Sequence, residues 1–163
     1  MMTIYDFLES NDIAYERHDH PPVFTCEDVN RLVPALPGCK TKNLFICDNK
    51  GKKHFLVTVP DEKSVDLKSL GEALGVKRLR FASASRLEKH LKLEPGAVTI
   101  LAVMNDTAGN VSVVVDQTIW DADALQCHPL VNTATLVISL DNLRKFLDAA
   151  GHPATVIDVP ARD

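Results

Sequence analysis

Two apolar, strand-like runs, Asn43 to Cys47 and His54 to Val59, are separated only by Asp48-Asn49-Lys50-Gly51-Lys52. Asp, Asn and Gly are turn formers, and so short a connection joins two strands only as an antiparallel pair. A hairpin at this point requires that the remaining apolar segments cover or extend a sheet.

The flanking sequence supplies both kinds of segment. Thr3 is placed to cap a short helix with Ile4, Phe7 and Leu8 on one face. An extended stretch from Ala14 to His18 ends at Pro21-Pro22, and Thr25 with Asp28 resembles a capping box opening a short helix, Glu27 to Leu32. Asp66 to Leu74 carries Leu67, Leu70 and Leu74 at helical spacing, with Gly75 past its end. Leu79 to Phe81 reads as a short strand, and Ser83 or Ser85 caps a helix through Leu87 and Leu91. Strands are expected at Val98–Met104, Val111–Val115 and Thr135–Ile138, after the turn at Trp120 in the short strand ending at Leu125, and at Val156–Val159. Asp141 to Ala149 is a helix stopped by Gly151 and Pro153. Strands and helices mix without regular alternation, and several strands follow one another by tight turns. The expected fold is a single α+β domain over residues 1–163, with a curved, mixed, mostly antiparallel sheet flanked by helices.

The 163 residues can bury about 70% of their unfolded surface. No run approaches the ~20 apolar residues of a membrane span, and Met1 to Asn11 lacks a signal peptide's layout, so a cytoplasmic protein with no membrane partner is expected. Cys26, Cys39, Cys47 and Cys127 include no C-x-x-C pair and read as reduced and mostly buried rather than as a metal framework. The net charge of −4 is uneven. Residues 40–53 hold five lysines against Asp48 alone, and residues 77–92 hold six basic groups against Glu88. A basic middle can bind a polyanion locally, because screening hides distant charge; solvated faces would have the same composition.

No G-x-S-x-G, G-x-x-x-x-G-K or H-E-x-x-H occurs, which removes the common hydrolase, nucleotide and zinc signatures. His18-Asp19-His20 lacks a third ligand, and Cys127 and His128, adjacent in an extended chain, point to opposite faces. Three segments are more suggestive. Lys42 and Asn43 abut the apolar run of the hairpin. Gly96 in "LEPGAVT" permits close backbone approach, and "CHPLVNTAT" gathers His128, Asn132 and Thr135 in a short extended piece. Each, alone, is also an ordinary turn or sheet-end loop.

Together, "TKNLF" at 41–45, "FLVTVPDEKSVDLKSLGEALG" at 55–75, "LEPGAVT" at 93–99, "VMNDT" at 103–107 and "CHPLVNTATLVIS" at 127–139 resemble the YbaK/prolyl-tRNA-synthetase-associated domain family. The resemblance is nearest to its free-standing ProXp-ala (PrdX) trans-editing group and runs from about Tyr5 to Phe146. It implies a cofactor-free hydrolase that cleaves the ester of a mischarged tRNA, alanyl-tRNA(Pro) in that group. The family lysine falls on Lys42, its glycine loop on Gly96 and its His-Pro segment on His128-Pro129. Ile100 stands where members often carry proline. The same resemblance assigns Lys42, Gly96 and His128 to catalysis and Val23, Phe24, Asn43, Phe45 and Asn132 to the amino acid and ribose. Lys50, Lys52, Lys53, Arg78 and Arg80 then face the tRNA acceptor stem, with Pro21–Leu32 as a cover. Prolyl-tRNA synthetase is a further candidate partner. Cysteinyl-tRNA(Pro) as substrate, or a non-catalytic tRNA-binding or synthetase-associated module, remain the alternatives.

Overall fold

The computed structural model describes residues 3–22, 25, 27–28, 31, 35–94 and 97–162. Thr3 does cap the first helix, α1 (Ile4–Ser10): its Oγ1 accepts from the Asp6 N–H, and the Asp6 carboxylate accepts from the Thr3 N–H. Strands β1 (Glu16–Asp19), β2 (Cys39–Cys47), β3 (His54–Pro60) and β4 (Arg80–Phe81) follow, with α2 (Leu67–Leu74) and then α3 (Ala84–Leu91). The second half comprises a 3₁₀ helix (Ile100–Asn105), β5 (Val111–Asp116), α4 (Gln117–Trp120), β6 (Ala124–Cys127), β7 (Ala134–Ser139), α5 (Leu140–Ala150) and β8 (Ala154–Ile157).

The hairpin is present, with Asn43 opposite Thr58 and Cys47 opposite His54. It becomes the centre of an eight-stranded sheet in the order β1-β7-β6-β2-β3-β5-β8, with β4 added to β2. Among the described strands four pairings are antiparallel and three are parallel, so the antiparallel excess is narrow. The parallel pairs arise because β3, β5 and β8 are joined by long crossovers that carry helices, which no local turn signal announces.

Alternation along β2 and β3 divides the apolar residues between two cores. Phe45 and Leu56 join the larger core with Leu8, Leu91, Leu101 and Phe146. Ile46, Phe55, Val57 and Val59 project from the other face onto Leu70 of α2. Each fully buried aliphatic side chain is worth roughly 1.5–3 kcal/mol against exposure. Helix α2 begins with Asp66 accepting from the Ser69 N–H and ends on Gly75 at φ +74°, the left-handed turn that glycine adopts without a Cβ clash.

One expected strand is absent. Val98–Met104 forms no ladder; its main part is the 3₁₀ helix, capped by Thr99. Ile100, Leu101, Ala102 and Val103 are all fully buried, so this unbroken apolar run has no solvent face to impose a period of two. It packs against α3, with the Asn105 side chain donating to Leu91 O at 3.0 Å.

His54 sits inside the larger core's edge at 4% exposure, 5.6 Å from the Phe45 ring and 4.3 Å from His90. Arg86 donates to its Nε2 at 3.2 Å and to Gly51 O at 2.9 Å. Burial, then the positive neighbours His90 and Arg86, hold the His54 pKa down at about 4. The unfolded chain takes up this proton near 6.5 and the folded chain does not until about 4. Stability contributed by neutral His54 is therefore complete above pH 6.5 and is lost as pH falls towards 4. Replacing His54 by Gln is expected to flatten the fall of the thermal midpoint across this window; an unchanged slope would contradict the assignment.

Candidate functional site

Lys40, Lys42, Leu44 and Ile46 alternate onto one face of β2, the face that carries α2. The parallel register sets Cys39 beside Leu125 and Lys40 beside Gln126, so Gln126 and His128 emerge on that same face. β7 adds Thr135, since Leu136 pairs with Cys127. Lys42 and His128, 86 residues apart in sequence, are thus brought to one sheet face.

The edge of β2 opposite β3 has two partners at its two ends. β6 pairs only with Cys39 and Lys40, and β4 only with Ile46 and Cys47. Among the described strands nothing pairs with this edge between them, and Lys42 lies in that notch. Its side chain is half-buried, and among the described residues no hydrogen bond or ion pair reaches its ammonium group. A half-buried lysine kept without a partner is a cation poised for a ligand.

Two clefts flank it. The first is lined by Lys40, Thr41, Asp61, Gln126, Cys127, His128 and Thr135. The second holds Lys42 itself with Leu44, Ser64, Val65, Leu67, Phe81 and Arg162. Lys40 borders the His128 cleft. Gln126 fixes the chain entering β2, its amide donating towards Leu36 O at 3.1 Å and Pro37 O at 3.3 Å, and the Thr41 hydroxyl donates to Gln126 O.

His128 is half-buried and its Nδ1 lies 3.2 Å from Ala134 O, so Nδ1 carries the proton and Nε2 is the ring's acceptor. Burial lowers its pKa, reinforced by nearby His20 and opposed by the Ala134 carbonyl. The imidazole is consequently neutral at pH 7. His20 is itself tied down: Nδ1 donates to Pro21 O at 2.8 Å, and Nε2 accepts from Thr135 Oγ1 at 2.9 Å.

Asn43 and Phe45, expected beside Lys42 as substrate contacts, project from the opposite face. Asn43 Oδ1 accepts from the buried Thr58 hydroxyl at 2.6 Å, and Phe45 is core, stacked on His54. The reason is the period of the strand: odd positions turn away from the Lys42 face. Asn132 lies half-buried in the bend between β6 and β7. Val23, Phe24 and Gly96, and most of the Pro21–Leu32 cover, lie outside the described residues. Lys50, Lys52, Lys53, Arg78 and Arg80 are all exposed and gather where the hairpin turn meets β4, about 16 Å along β2 from Lys42. Gln126, Phe81 and Arg162 were not singled out by sequence, because strand pairing and the C-terminal tail, not local pattern, deliver them. Among the described residues no three His, Cys, Asp or Glu side chains are placed to hold a metal ion.

The site offers an unpaired cation, a neutral imidazole acceptor and hydroxyl and amide groups on one face, with no activated serine or cysteine among the described residues. Cys127 is buried and its thiol is pushed up to about 12, which removes it as a nucleophile. Such a set can polarise a carbonyl and orient water.

Comparison with known proteins agrees. The model of the aminoacyl-tRNA editing domain matches residues 20–146. The prolyl-tRNA editing protein ProX of Acetoanaerobium sticklandii is 36% identical over 152 residues, covering 93% of each chain. The prolyl-tRNA synthetase associated domain-containing protein 1 of Mus musculus is 34% identical over 150 residues, covering 90% of this chain and 88% of that one. In fold, a crystal structure described as a candidate trans-editing enzyme for prolyl tRNA synthetase superposes with a TM-score of 0.70 at 15% identity, over 98% of this chain and 95% of that one. The chain therefore belongs to the aminoacyl-tRNA editing domain family.

Proposed function

We propose that the protein is a trans-editing deacylase that hydrolyses the ester of a mischarged tRNA, with alanyl-tRNA(Pro) as its substrate. The observation that carries this reading is the unpartnered, half-buried Lys42 in the notch of β2, on one sheet face with neutral His128. Family membership and the names of the relatives support it. In the reaction, water adds to the ester carbonyl, whose oxygen becomes an oxyanion. The ribose oxygen then leaves with a proton, giving free amino acid and an intact tRNA hydroxyl. The Lys42 ammonium stabilises the oxyanion, and His128 Nε2 accepts a hydrogen from the attacking water or an adjacent hydroxyl. A small pocket that admits alanine and excludes proline adds a second sieve where one methylene in a synthetase pocket is worth only about 1–3 kcal/mol.

The test is hydrolysis of alanyl-, cysteinyl- and prolyl-tRNA(Pro) by the purified chain. Selective loss of the alanyl ester is expected. Selective loss of the cysteinyl ester would move the substrate, and stability of all three would overturn the reading.

The exposed cations Lys50, Lys52, Lys53, Arg78 and Arg80 form the acceptor-stem contact. If about four of them neutralise phosphates, tRNA affinity should fall on the order of a hundredfold between about 50 and 200 mM salt. A flat response in a filter-binding titration would remove this role.

A further inference from the structure

Phe81 is 62% exposed, with Val131 one of two large apolar side chains left in water among the described residues. It belongs to β4, a strand of only two residues, and pairs with Ile46, which is fully buried on the α2 face. Paired residues share a face, so Phe81 emerges on the same side as Lys42, at the other end of the notch. Between them runs the second cleft. Its floor is aliphatic (Leu44, Val65 and Leu67), Ser64 supplies a hydroxyl, and Lys42 and Arg162 supply two cations, with no carboxylate in the lining among the described residues. Arg162 is held there by its backbone, its N–H donating to Ser64 O at 2.7 Å, and the neighbouring Ala161 bridges Val65.

An exposed ring over an aliphatic floor, with two cations, matches a flat unsaturated ring attached to an anion. Aromatic rings provide such platforms for single-stranded nucleic acid, because every base has a face to stack. We infer that this cleft binds the 3′-terminal nucleoside of the tRNA, its base stacked on Phe81 and its phosphate or ribose oxygens held by Arg162 and Lys42. The inference rests on the deacylase reading and deepens it. Phe81 stands opposite Ile46, four residues from Lys42, about 13 Å along the strand, a span that the two long side chains narrow to one nucleoside. A base at Phe81 thus sets the ribose at Lys42 and the ester towards His128. Lys42 lines the second cleft, and the register of β2 with β6 sets it beside the first.

The experiment is titration of an uncharged CCA trinucleotide into the protein, beside steady-state deacylation kinetics. Phe81→Ala is expected to weaken CCA binding tenfold or more and to raise KM with little change in kcat. Since Phe81 is exposed, its thermal midpoint should stay at the wild-type value. Phe81→Trp should retain binding, with indole fluorescence that changes on CCA addition. Arg162→Ala should weaken binding by a smaller, salt-dependent factor. If Phe81→Ala leaves both CCA affinity and KM unchanged while the wild type deacylates, the platform is wrong and the deacylase reading stands. If CCA binds through Phe81 but no ester is hydrolysed, the platform stands and the catalytic reading falls. Equal affinity for tRNA with and without its CCA end would also overturn the platform.

Discussion

Replacing Lys42 by Ala is expected to lower the single-turnover rate of alanyl-tRNA(Pro) hydrolysis by a hundredfold or more. Removing one preorganised donor to a developing oxyanion costs on the order of 10²–10³ in rate. The lysine makes no hydrogen bond or ion pair among the described residues, so its loss leaves no buried partner stranded, and the thermal midpoint should hardly move. Lys42→Arg keeps the charge but replaces a compact ammonium with a planar fork, and an intermediate rate is expected. A wild-type rate in Lys42→Ala would remove the site from the notch. An unfolded variant would show that the lysine is structural.

The second large effect is on stability. Asp116 is fully buried, and its carboxylate meets Lys63 Nζ at 3.1–3.2 Å and accepts from the Val159 N–H at 2.9 Å. Lys63, 17% exposed, also donates to Val159 O at 2.8 Å. This cluster ties the loop after β3 to the tail after β8, the two pieces that place Ser64, Val65 and Arg162 beside Lys42. Asp116→Ala leaves the Lys63 ammonium with only the exposed Asp158 carboxylate at 3.3 Å and Val159 O, and leaves the buried Val159 N–H unsatisfied, so a loss of about 3 kcal/mol is expected. For a chain of this size that is a fall of roughly 10 °C in thermal midpoint. Because the tail is loosened, KM should rise as well. Lys63→Met in the same chain should restore part of the stability, since an uncharged pair avoids the unpaired charge. A loss below about 1 kcal/mol in the single variant would show that the pair is solvated.

What the sequence made legible was local. Thr3 and Ser83, the latter offered with Ser85, are caps whose hydroxyl accepts from a first-turn N–H; Asp66 and Ser139 act in the same way but are not expected as caps from the sequence, although their helices are placed by it. The β2–β3 hairpin was readable from its turn. The 3₁₀ helix at Ile100–Asn105 was not, because a run buried on every side has no periodicity to read. The parallel pairings of β2 with β6 and of β3 with β5 are set by distant segments. They decide that Lys40, Lys42, His128 and Thr135 share a face, and no local pattern carries that information. The assignment of Asn43 and Phe45 to the site treated neighbours in sequence as neighbours in space, which a strand forbids. Phe81 looked like one more apolar strand residue; in the structure it lies on the two-residue strand β4 and its ring stays in water.

The claim that the notch of β2 holds the ester is tested most directly with a CCA trinucleotide carrying 3′-amide-linked alanine, which cannot be hydrolysed, titrated into isotope-labelled protein and followed by amide and side-chain resonances. The shifts are predicted to concentrate at Lys42, Leu44, Phe81, His128 and Thr135, with Asn43, Phe45 and Thr58 perturbed far less. Shifts confined to the opposite sheet face, or to the basic turn at Lys50–Lys53 with the Lys42 resonances unmoved, would contradict it.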